Sequence, residues 1–293
     1  MPLYLNPQKK WNGKRALRFT FALSVLLLAI AVMIAWMFIG HRRNNPPTPD
    51  ESTNNPTQYT EPLTAVNNCL IILDFAGDTQ FILVQSNAAA QTVTSMAVPS
   101  TITDENGNTL TDLLTKHGAK QVIETLSVAL ELSVEHYISW SPKGMQSFLD
   151  ELHNGVMFTL PEAIQYTDEN AVTIRLNAGE QKLTGEQTAA VLQYTAWSDS
   201  ALLQNTAPQL IAAVINQYVT PDQSLDGFFA ALADTAQTDL RIDNYNAFRP
   251  TLVHLAQGNN GALCRCLSLI GTEENGRFVP NVSAMRKQTD LYP

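Results

Sequence analysis

Two aspartates stand on either side of the short segment that joins two apolar runs. Asp74 ends the run NCLIILD, and Asp78 precedes the run QFILVQ. Carboxylate oxygens are the ligands that hard divalent cations prefer, so the pair is a candidate metal site. Acidic residues are also favoured in turns between strands, and a simple acidic turn is the alternative interpretation.

Other catalytic patterns are missing from the sequence. It contains no Gly-x-Ser-x-Gly nucleophile motif, no His-Glu-x-x-His zinc motif and no phosphate-binding loop. The five histidines are scattered, and none has the spacing of a metal ligand. Cys69, Cys264 and Cys266 form no Cys-x-x-Cys pair, so we interpret them as small buried residues. A disulfide from Cys69 to either of the other two is the alternative.

Charge is distributed unevenly along the 293 residues. Residues 1–43 carry seven basic and no acidic residues, whereas residues 44–293 carry 11 basic and 27 acidic residues, a net charge of −16. An acidic region of this kind repels nucleic acids, so we expect no nucleic-acid partner. Binding a pyrophosphate there requires a local basic pocket or a bridging divalent cation.

Residues 19–40 form an uncharged run rich in Leu, Ile, Val, Ala and Met. About 20 apolar residues span a bilayer as a helix, so we predict one N-terminal transmembrane helix. A cleaved signal peptide is the alternative, but the run is long for one and no small-x-small cleavage site follows it. Basic residues are concentrated before the run, which predicts a cytoplasmic tail over residues 1–18 and an extracellular remainder on the cell membrane.

The part after the membrane span divides into a stalk and a folded unit. Residues 41–64 are rich in Pro, Asn and Thr and lack apolar periodicity, which predicts a disordered stalk. We expect a core domain over residues 65–220 and a C-terminal part of the same extracytoplasmic unit over residues 221–293.

Strand and helix patterns alternate along the folded unit. Buried runs and period-two alternation predict strands at 68–74, 80–85, 92–98, 135–140, 156–160, 172–176 and, as the last strand, 263–269. Helix-spaced apolar stripes and caps predict helices at 110–132 with a break near Gly118, and at 142–152, 184–194, 207–218, 225–233 and 242–255. This alternation predicts a layered α/β domain.

One passage, residues 176–187 (LNAGEQKLTGEQ), resembles the "aGeq-LtGeq" passage of the LytR-CpsA-Psr family. Weaker resemblances occur in family order, among them 68–74 with the first strand, 134–138 with the "i-d-y-y-v" strand and 148–156 with "lvdalGGV". Family members are membrane-anchored, extracytoplasmic proteins that transfer glycopolymers from a polyprenyl-pyrophosphate carrier to the bacterial cell wall. The resemblance implies a three-layer α/β/α domain with a central mixed sheet.

The resemblance also implies roles for individual residues. Asp74 and Asp78 match two acids that help to hold Mg²⁺ beside the phosphates, so both are candidate catalytic residues and metal ligands. The family arginines that grip the pyrophosphate are absent: Ser100 stands at one such position, and Gln193 and Thr195 stand at two others. Because the charge on the leaving group needs fixed cations, several missing arginines predict lost catalysis.

Three hypotheses follow from the resemblance and its gaps. The preferred one is a degenerate family member that keeps an apolar tunnel and binds a polyprenyl-linked lipid or an envelope protein. The second is a stalked structural domain without a pocket. The third is an active glycopolymer phosphotransferase with relocated cations; Arg175, on a short predicted strand, is the best candidate for that role, ahead of Lys143 and Lys182.

Overall fold

The fold is organised around a mixed sheet of six strands. The computed structural model of the chain describes residues 65–75, 78–153, 155–168 and 170–288. The strands are β1 (Val66–Phe75), β2 (Asp78–Asn87), β3 (Thr92–Val98), β4 (His136–Trp140), β5 (Val156–Leu160), β6 (Ile164–Thr167), β7 (Thr173–Leu176), β8 (Gly179–Leu183), β9 (Gln237–Thr238), β10 (Cys264–Leu267), β11 (Gly271–Glu274) and β12 (Arg277–Pro280). The helices are α1 (Leu110–His117), α2 (Ala119–Leu130), α3 (Pro142–Glu151), α4 (Gly185–Gln193), α5 (Ser200–Tyr218), α6 (Leu225–Thr235), α7 (Ile242–Gly258) and α8 (Val282–Gln288).

The six strands of the sheet lie in the order β10-β3-β2-β1-β4-β9. β1, β2 and β3 form an antiparallel meander, whereas β4 is parallel to β1 and β10 is parallel to β3. Three further strand pairs, β5 with β8, β6 with β7 and β11 with β12, form separate two-stranded sheets. The predicted mixed sheet is therefore confirmed.

The central strand β1 is apolar along both faces because helices cover the sheet on both sides. Leu70 and Ile72 are fully buried against α1 and α2 in one core cluster. Their neighbours Ile71 and Leu73 point to the opposite face, where a second cluster joins the sheet to α3, α4, α5 and α6. Successive side chains of a strand point to opposite faces, so the run LIILDF contributes residues to both core clusters. Helices on both faces of the sheet make a three-layer domain.

Short polar sequences set the bounds of the helices. Gly118 ends α1 and precedes α2 with a φ of +80°, a conformation that side chains other than glycine rarely adopt, so the predicted break is confirmed. The hydroxyl of Thr184 accepts a hydrogen bond from the backbone N–H of Gln187, whose side chain accepts one from the backbone N–H of Thr184. This capping box confirms the predicted start of α4.

Several element predictions were wrong. β10 is not the last strand, because β11 and β12 follow it as a hairpin around Asn275 and Gly276. β6 and β8 were not predicted, since the sequence of β8, GEQKL, is largely polar. α5 begins at Ser200 rather than at 207, because Asp199 caps it through a 2.9 Å hydrogen bond from the N–H of Ala201.

The remaining predictions concern the membrane span, the stalk and the cysteines. No helix within residues 65–288 that the structure describes has the length and apolarity to cross a membrane. The predicted span 19–40 and stalk 41–64 lie outside the described residues. All three cysteines have free thiols, so the disulfide alternative is not realised in this structure.

Candidate functional site

An apolar cavity of about 420 Å³ lies between the central sheet and the helices α3, α5, α6 and α7. The sheet supplies its floor from three adjacent strands: Cys69 and Ile71 from β1, Val84 from β2 and Ile138 from β4. These residues share a face because Cys69 is paired in register with Val84, and Ile71 with Ile138. The sheet register thus creates a continuous apolar floor.

Aromatic side chains form one wall of the cavity. The rings of Trp140 and Phe148 lie 4.9 Å apart, and Phe148 meets Phe228 edge to face at 5.3 Å. The indole N–H of Trp140 donates to the Thr235 hydroxyl at 3.3 Å, which fixes the ring against α6. Phe148 and its neighbour Leu149 are both buried. This aromatic wall was not predicted from the sequence.

A polar clamp joins α6 to α7 above the cavity. The Arg249 guanidinium donates to both carboxylate oxygens of Asp226, at 2.9 and 3.2 Å, and the Tyr245 hydroxyl donates to the same carboxylate. These hydrogen bonds lower the pKa of Asp226 to about 2, the one from Arg249 having the largest effect. Tyr245 also stacks on Phe229, with ring centroids 4.2 Å apart, and both rings line the cavity.

Charged side chains are rare in the lining of the cavity. Among its lining residues in the described part of the chain there is neither Lys nor Arg, and Glu135 is the single acid. Burial raises the pKa of the Cys69 thiol to about 12, with smaller contributions from the negative charges of Asp239 and Glu135. A neutral thiol at this position makes Cys69 an apolar lining residue rather than a nucleophile.

The sequence-predicted site residues lie outside this lining. Asp74 is exposed near the end of β1, and its Oδ1 accepts a 3.4 Å hydrogen bond from the Thr79 hydroxyl. It is three residues beyond Ile71, which is about 10 Å along an extended strand. Asp78 begins β2, where it is paired with Phe75 of β1, and the predicted turn between the two aspartates lies at residues outside the described ranges. Arg175 is exposed on β7, where its Nε donates to the Gln165 side chain at 3.0 Å.

Comparison with known proteins identifies the relatives of this fold. The model of the LytR-CpsA-Psr family matches residues 78–262, which is well over half of the chain. The chain belongs to the LytR-CpsA-Psr family. A comparison with curated protein sequences finds no significant match.

Solved structures of low sequence identity share the fold of this LytR-CpsA-Psr protein. A protein from Eubacterium siraeum superposes with a TM-score of 0.68 at 19% identity, covering 83% of this chain and 97% of its own. TagV from B. subtilis gives a TM-score of 0.62 at 16% identity, covering 76% and 94%. TagT, in a structure described as bound to LI-WTA, gives 0.54 at 15%, covering 79% and 90%. At these identities the likeness establishes the fold alone.

The structure explains the Thr-Gly-x-Gln pattern in the passage that carries the LytR-CpsA-Psr resemblance. Gly185 opens α4 and is buried against α3. A Cβ at this position would lie 2.5 Å from the backbone oxygen of Gln146 and 2.7 Å from Oδ1 of Asp150. Only glycine allows this approach, so the Thr-Gly-x-Gln pattern both caps α4 and packs it against α3.

The residues that the resemblance matches to family arginines have local roles in the structure. Gln193 turns back to its own helix, its Nε2 donating to the Ala189 carbonyl at 3.1 Å. Thr195 is exposed after the end of α4, and Ser100 is half-buried in the turn after β3. Asp199, which follows this region, is the cap of α5.

The magnesium prediction depends on a phosphate ligand. Magnesium is commonly held by one or two carboxylates together with substrate phosphates. The described residues contain no group of three or more His, Cys, Asp or Glu side chains able to hold a metal ion. Asp74, with its exposed carboxylate, fits the single-carboxylate role, so Mg²⁺ binding through Asp74 and Asp78 stays a prediction.

Proposed function

We propose that this chain is a membrane-anchored, extracytoplasmic LytR-CpsA-Psr protein of the bacterial envelope that binds the apolar tail of a lipid and does not transfer a glycopolymer. The apolar cavity between the sheet and the helices carries the proposal. The predicted transmembrane helix at 19–40 and the stalk at 41–64 provide the anchor and the spacer of this scheme. TagT bound to LI-WTA supports an envelope lipid or glycopolymer as the partner class.

The size and lining of the cavity suit a hydrocarbon chain. Since a methylene occupies roughly the volume of a water molecule, about 30 Å³, the cavity of about 420 Å³ holds on the order of 14 carbon atoms. That is part of a polyprenyl tail or most of a fatty acyl chain. Transfer of such a chain from water to an apolar pocket is favourable, because apolar surface is removed from water.

The charges argue against phosphoryl transfer. Displacement of a pyrophosphate develops charge that fixed cations must stabilise. Among the described residues the cavity lining has no Lys or Arg, and Gln193, Thr195 and Ser100 stand where the resemblance implies arginines. Arg175 is held by Gln165 on a separate two-stranded sheet. These observations favour binding over catalysis, and the cavity itself counts against a structural domain without a pocket.

The decisive experiment titrates the full chain, reconstituted in lipid nanodiscs, with a polyprenyl pyrophosphate in the presence and absence of Mg²⁺. We expect binding that depends on the tail and ignores the metal, and no glycopolymer transfer. Val214→Phe, which fills the cavity from α5, is expected to abolish binding, whereas Val128→Phe at an exposed site on α2 is the matched control. Magnesium-dependent binding or measurable transfer would overturn the proposal.

A further inference from the structure

One end of the cavity carries polar atoms that no protein group satisfies. Ser86 on β2 is only 7% exposed and Asn67 lies opposite it on β1; both line the cavity. In the described part of the chain, the Ser86 hydroxyl and the Asn67 Nδ2 are buried and have no hydrogen-bond partner. Directly paired residues place their side chains about 5 Å apart on the same face of a sheet. The two side chains therefore lie next to each other at the same end of the cavity.

Neighbouring buried polar side chains on the same strands do have hydrogen-bond partners. The amide of Gln85 donates to Asn68 Oδ1 at 2.8 Å, and Asn68 Nδ2 donates to the Ser133 carbonyl at 2.8 Å. Asn68 follows Asn67 on β1, and Gln85 precedes Ser86 on β2. Buried polar groups are nearly always hydrogen-bonded, so unsatisfied groups in a cavity wall are the first candidates for contact with a ligand or with water.

The polar end is also where the cavity opens. Ala65, Glu135 and Ala247 are the exposed residues among its lining. Ala65 precedes β1 and Glu135 precedes β4, and these two strands are parallel, so both residues lie at one edge of the sheet. The opening is therefore at the opposite end of β1 from Asp74.

Acidic groups surround the opening. Glu135 is exposed there, and Asp239 lies beside it on the same edge, with its Oδ2 3.4 Å from His136 Nδ1. The Oδ1 of Asp239 accepts a 3.0 Å hydrogen bond from the backbone N–H of Tyr137. The Cys69 thiol lines this end of the cavity, and the negative charges of Asp239 and Glu135 add to the effect of burial in raising its pKa. The described lining contains one carboxylate, Glu135, with Asp239 next to it against the lining residue His136, and neither Lys nor Arg. Like-charge repulsion from the two carboxylates therefore disfavours an anionic head group.

We propose that Asn67 and Ser86 form a subsite for the neutral, hydrogen-bonding head group of a single-chain amphiphile whose tail lies between Ile71 and the Trp140–Phe148 wall. Asn67 Nδ2 donates to a hydroxyl or carbonyl oxygen of the ligand, and the Ser86 hydroxyl donates or accepts. The ligand class is an uncharged glyceride, alcohol or amide. This inference rests on the proposed function, because it names the lipid class of the same cavity.

The test uses Trp140, which lines the cavity, as a reporter in the full chain in nanodiscs. The probes are 14-carbon chains brominated near the tail end, one as a monoacylglycerol, one as a carboxylic acid and one as a phosphate monoester. Bromine quenches tryptophan at short range, and Trp140→Phe defines the signal that belongs to the cavity. We expect the monoacylglycerol to quench at concentrations at least tenfold lower than either anion.

Variants separate the head-group subsite from the cavity. Ser86→Ala and Asn67→Leu are expected to weaken binding of the monoacylglycerol about three- to tenfold each, as the loss of one hydrogen bond implies. Ser95→Ala on β3 is the matched control, because its hydroxyl is also buried and unsatisfied but does not line the cavity. Binding to Ser95→Ala should equal that of the unchanged chain.

The outcomes distinguish this inference from the proposed function. Equal quenching by all three probes, with Ser86→Ala and Asn67→Leu unaffected, would overturn the subsite and leave tail binding intact. Tighter binding of the phosphate monoester would overturn it in favour of an anionic head. Absence of quenching by every probe would overturn the proposed function as well.

Discussion

The two faces of the central sheet are built from alternating residues of the same strands, yet they are packed differently. On one face Leu70, Ile72 and Leu83 are completely buried against α1 and α2. On the other, Ile71 and Val84 border a cavity of about 420 Å³ beneath α5, α6 and α7. Interiors are normally packed as densely as organic crystals, so a space of this size is maintained against the tendency to collapse. Under the proposed function, the cavity face also binds the ligand, whereas the face against α1 and α2 contributes to stability alone.

The largest expected effect comes from truncating two adjacent isoleucines of β1. Ile72→Ala on the packed face should lower the free energy of unfolding by about 4 kcal/mol, whereas Ile71→Ala should lower it by about 2 kcal/mol. Ile71 faces the cavity and has fewer dispersion contacts to lose. Urea unfolding of the full chain, followed by tryptophan fluorescence, measures both. Equal losses would mean that the two faces are equally packed.

Replacing one valine on each face by a larger residue tests the same comparison by filling space instead of removing side-chain atoms. Val122→Phe, in the fully buried stripe of α2, should destabilise the protein by about 2 kcal/mol through overpacking. Val214→Phe, which points into the cavity from α5, should leave the unfolding free energy within about 0.5 kcal/mol of the unchanged chain. The same unfolding assay compares the pair. A loss at Val214→Phe as large as that at Val122→Phe would contradict an open cavity.

The clamp over the cavity should respond to pH. Because the pKa of Asp226 is lowered to about 2 in the folded state, the clamp stabilises the fold fully above the unfolded pKa near 3.8. That stabilisation is lost as the pH falls from about 4 through about 2. Asp226→Asn should therefore show a smaller decline of melting temperature over this range, measured by circular dichroism. Asp234→Asn on the same helix is the control, and identical profiles for all three chains would exclude the clamp as a stabilising contact.

The smallest expected effect concerns the relocated-cation hypothesis. Arg175→Ala removes an exposed side chain and one hydrogen bond to Gln165, so the unfolding free energy should change by less than about 0.5 kcal/mol. Lipid binding in the Trp140 quenching assay should be unchanged. Lys182→Ala, on β8 of the two-stranded sheet with β5, serves as the control. If the unchanged chain transfers a glycopolymer and Arg175→Ala does not, the protein is an enzyme and the contrast between the faces has been misassigned.

Much of the fold could be predicted because its signals are local. The Thr184 capping box, the break at Gly118 and the apolar run of β1 each depend on a few consecutive residues, and each was confirmed. The hairpin of β11 and β12 was missed although its turn is Asn275-Gly276, a favoured two-residue hairpin signal in which both residues have positive φ. Here the signal was present and outweighed by the exposed, polar strands on either side.

The early start of α5 was missed for a different reason. The predicted helix began at 207, one residue before Pro208, and proline is favoured in the first turn of a helix. In the structure Pro208 lies inside the helix, which begins at the Asp199 cap and forgoes one backbone hydrogen bond. Burial of Leu210, Ile211 and Val214 against the sheet offsets that loss.

The candidate site was predicted in a different place from the cavity. Asp74 and Asp78 were identifiable because two carboxylates near a turn are visible in a sequence, and the resemblance gave them a role. The cavity was anticipated only as a feature that the family tunnel could leave behind. Nothing in the residue types distinguishes Ile71, which borders empty space, from Ile72, which is packed.

The sequence by itself determined the family, the alternation of strands and helices and the two-sided burial of β1. These properties follow from residue identity and from spacing over a few positions. The tertiary structure alone decided that Ser86 and Asn67 are left without partners and that Trp140, Phe148 and Phe228 enclose a space. A cavity depends on distances between side chains from β1, β2, β4 and four helices, and such distances are fixed only when the layers pack.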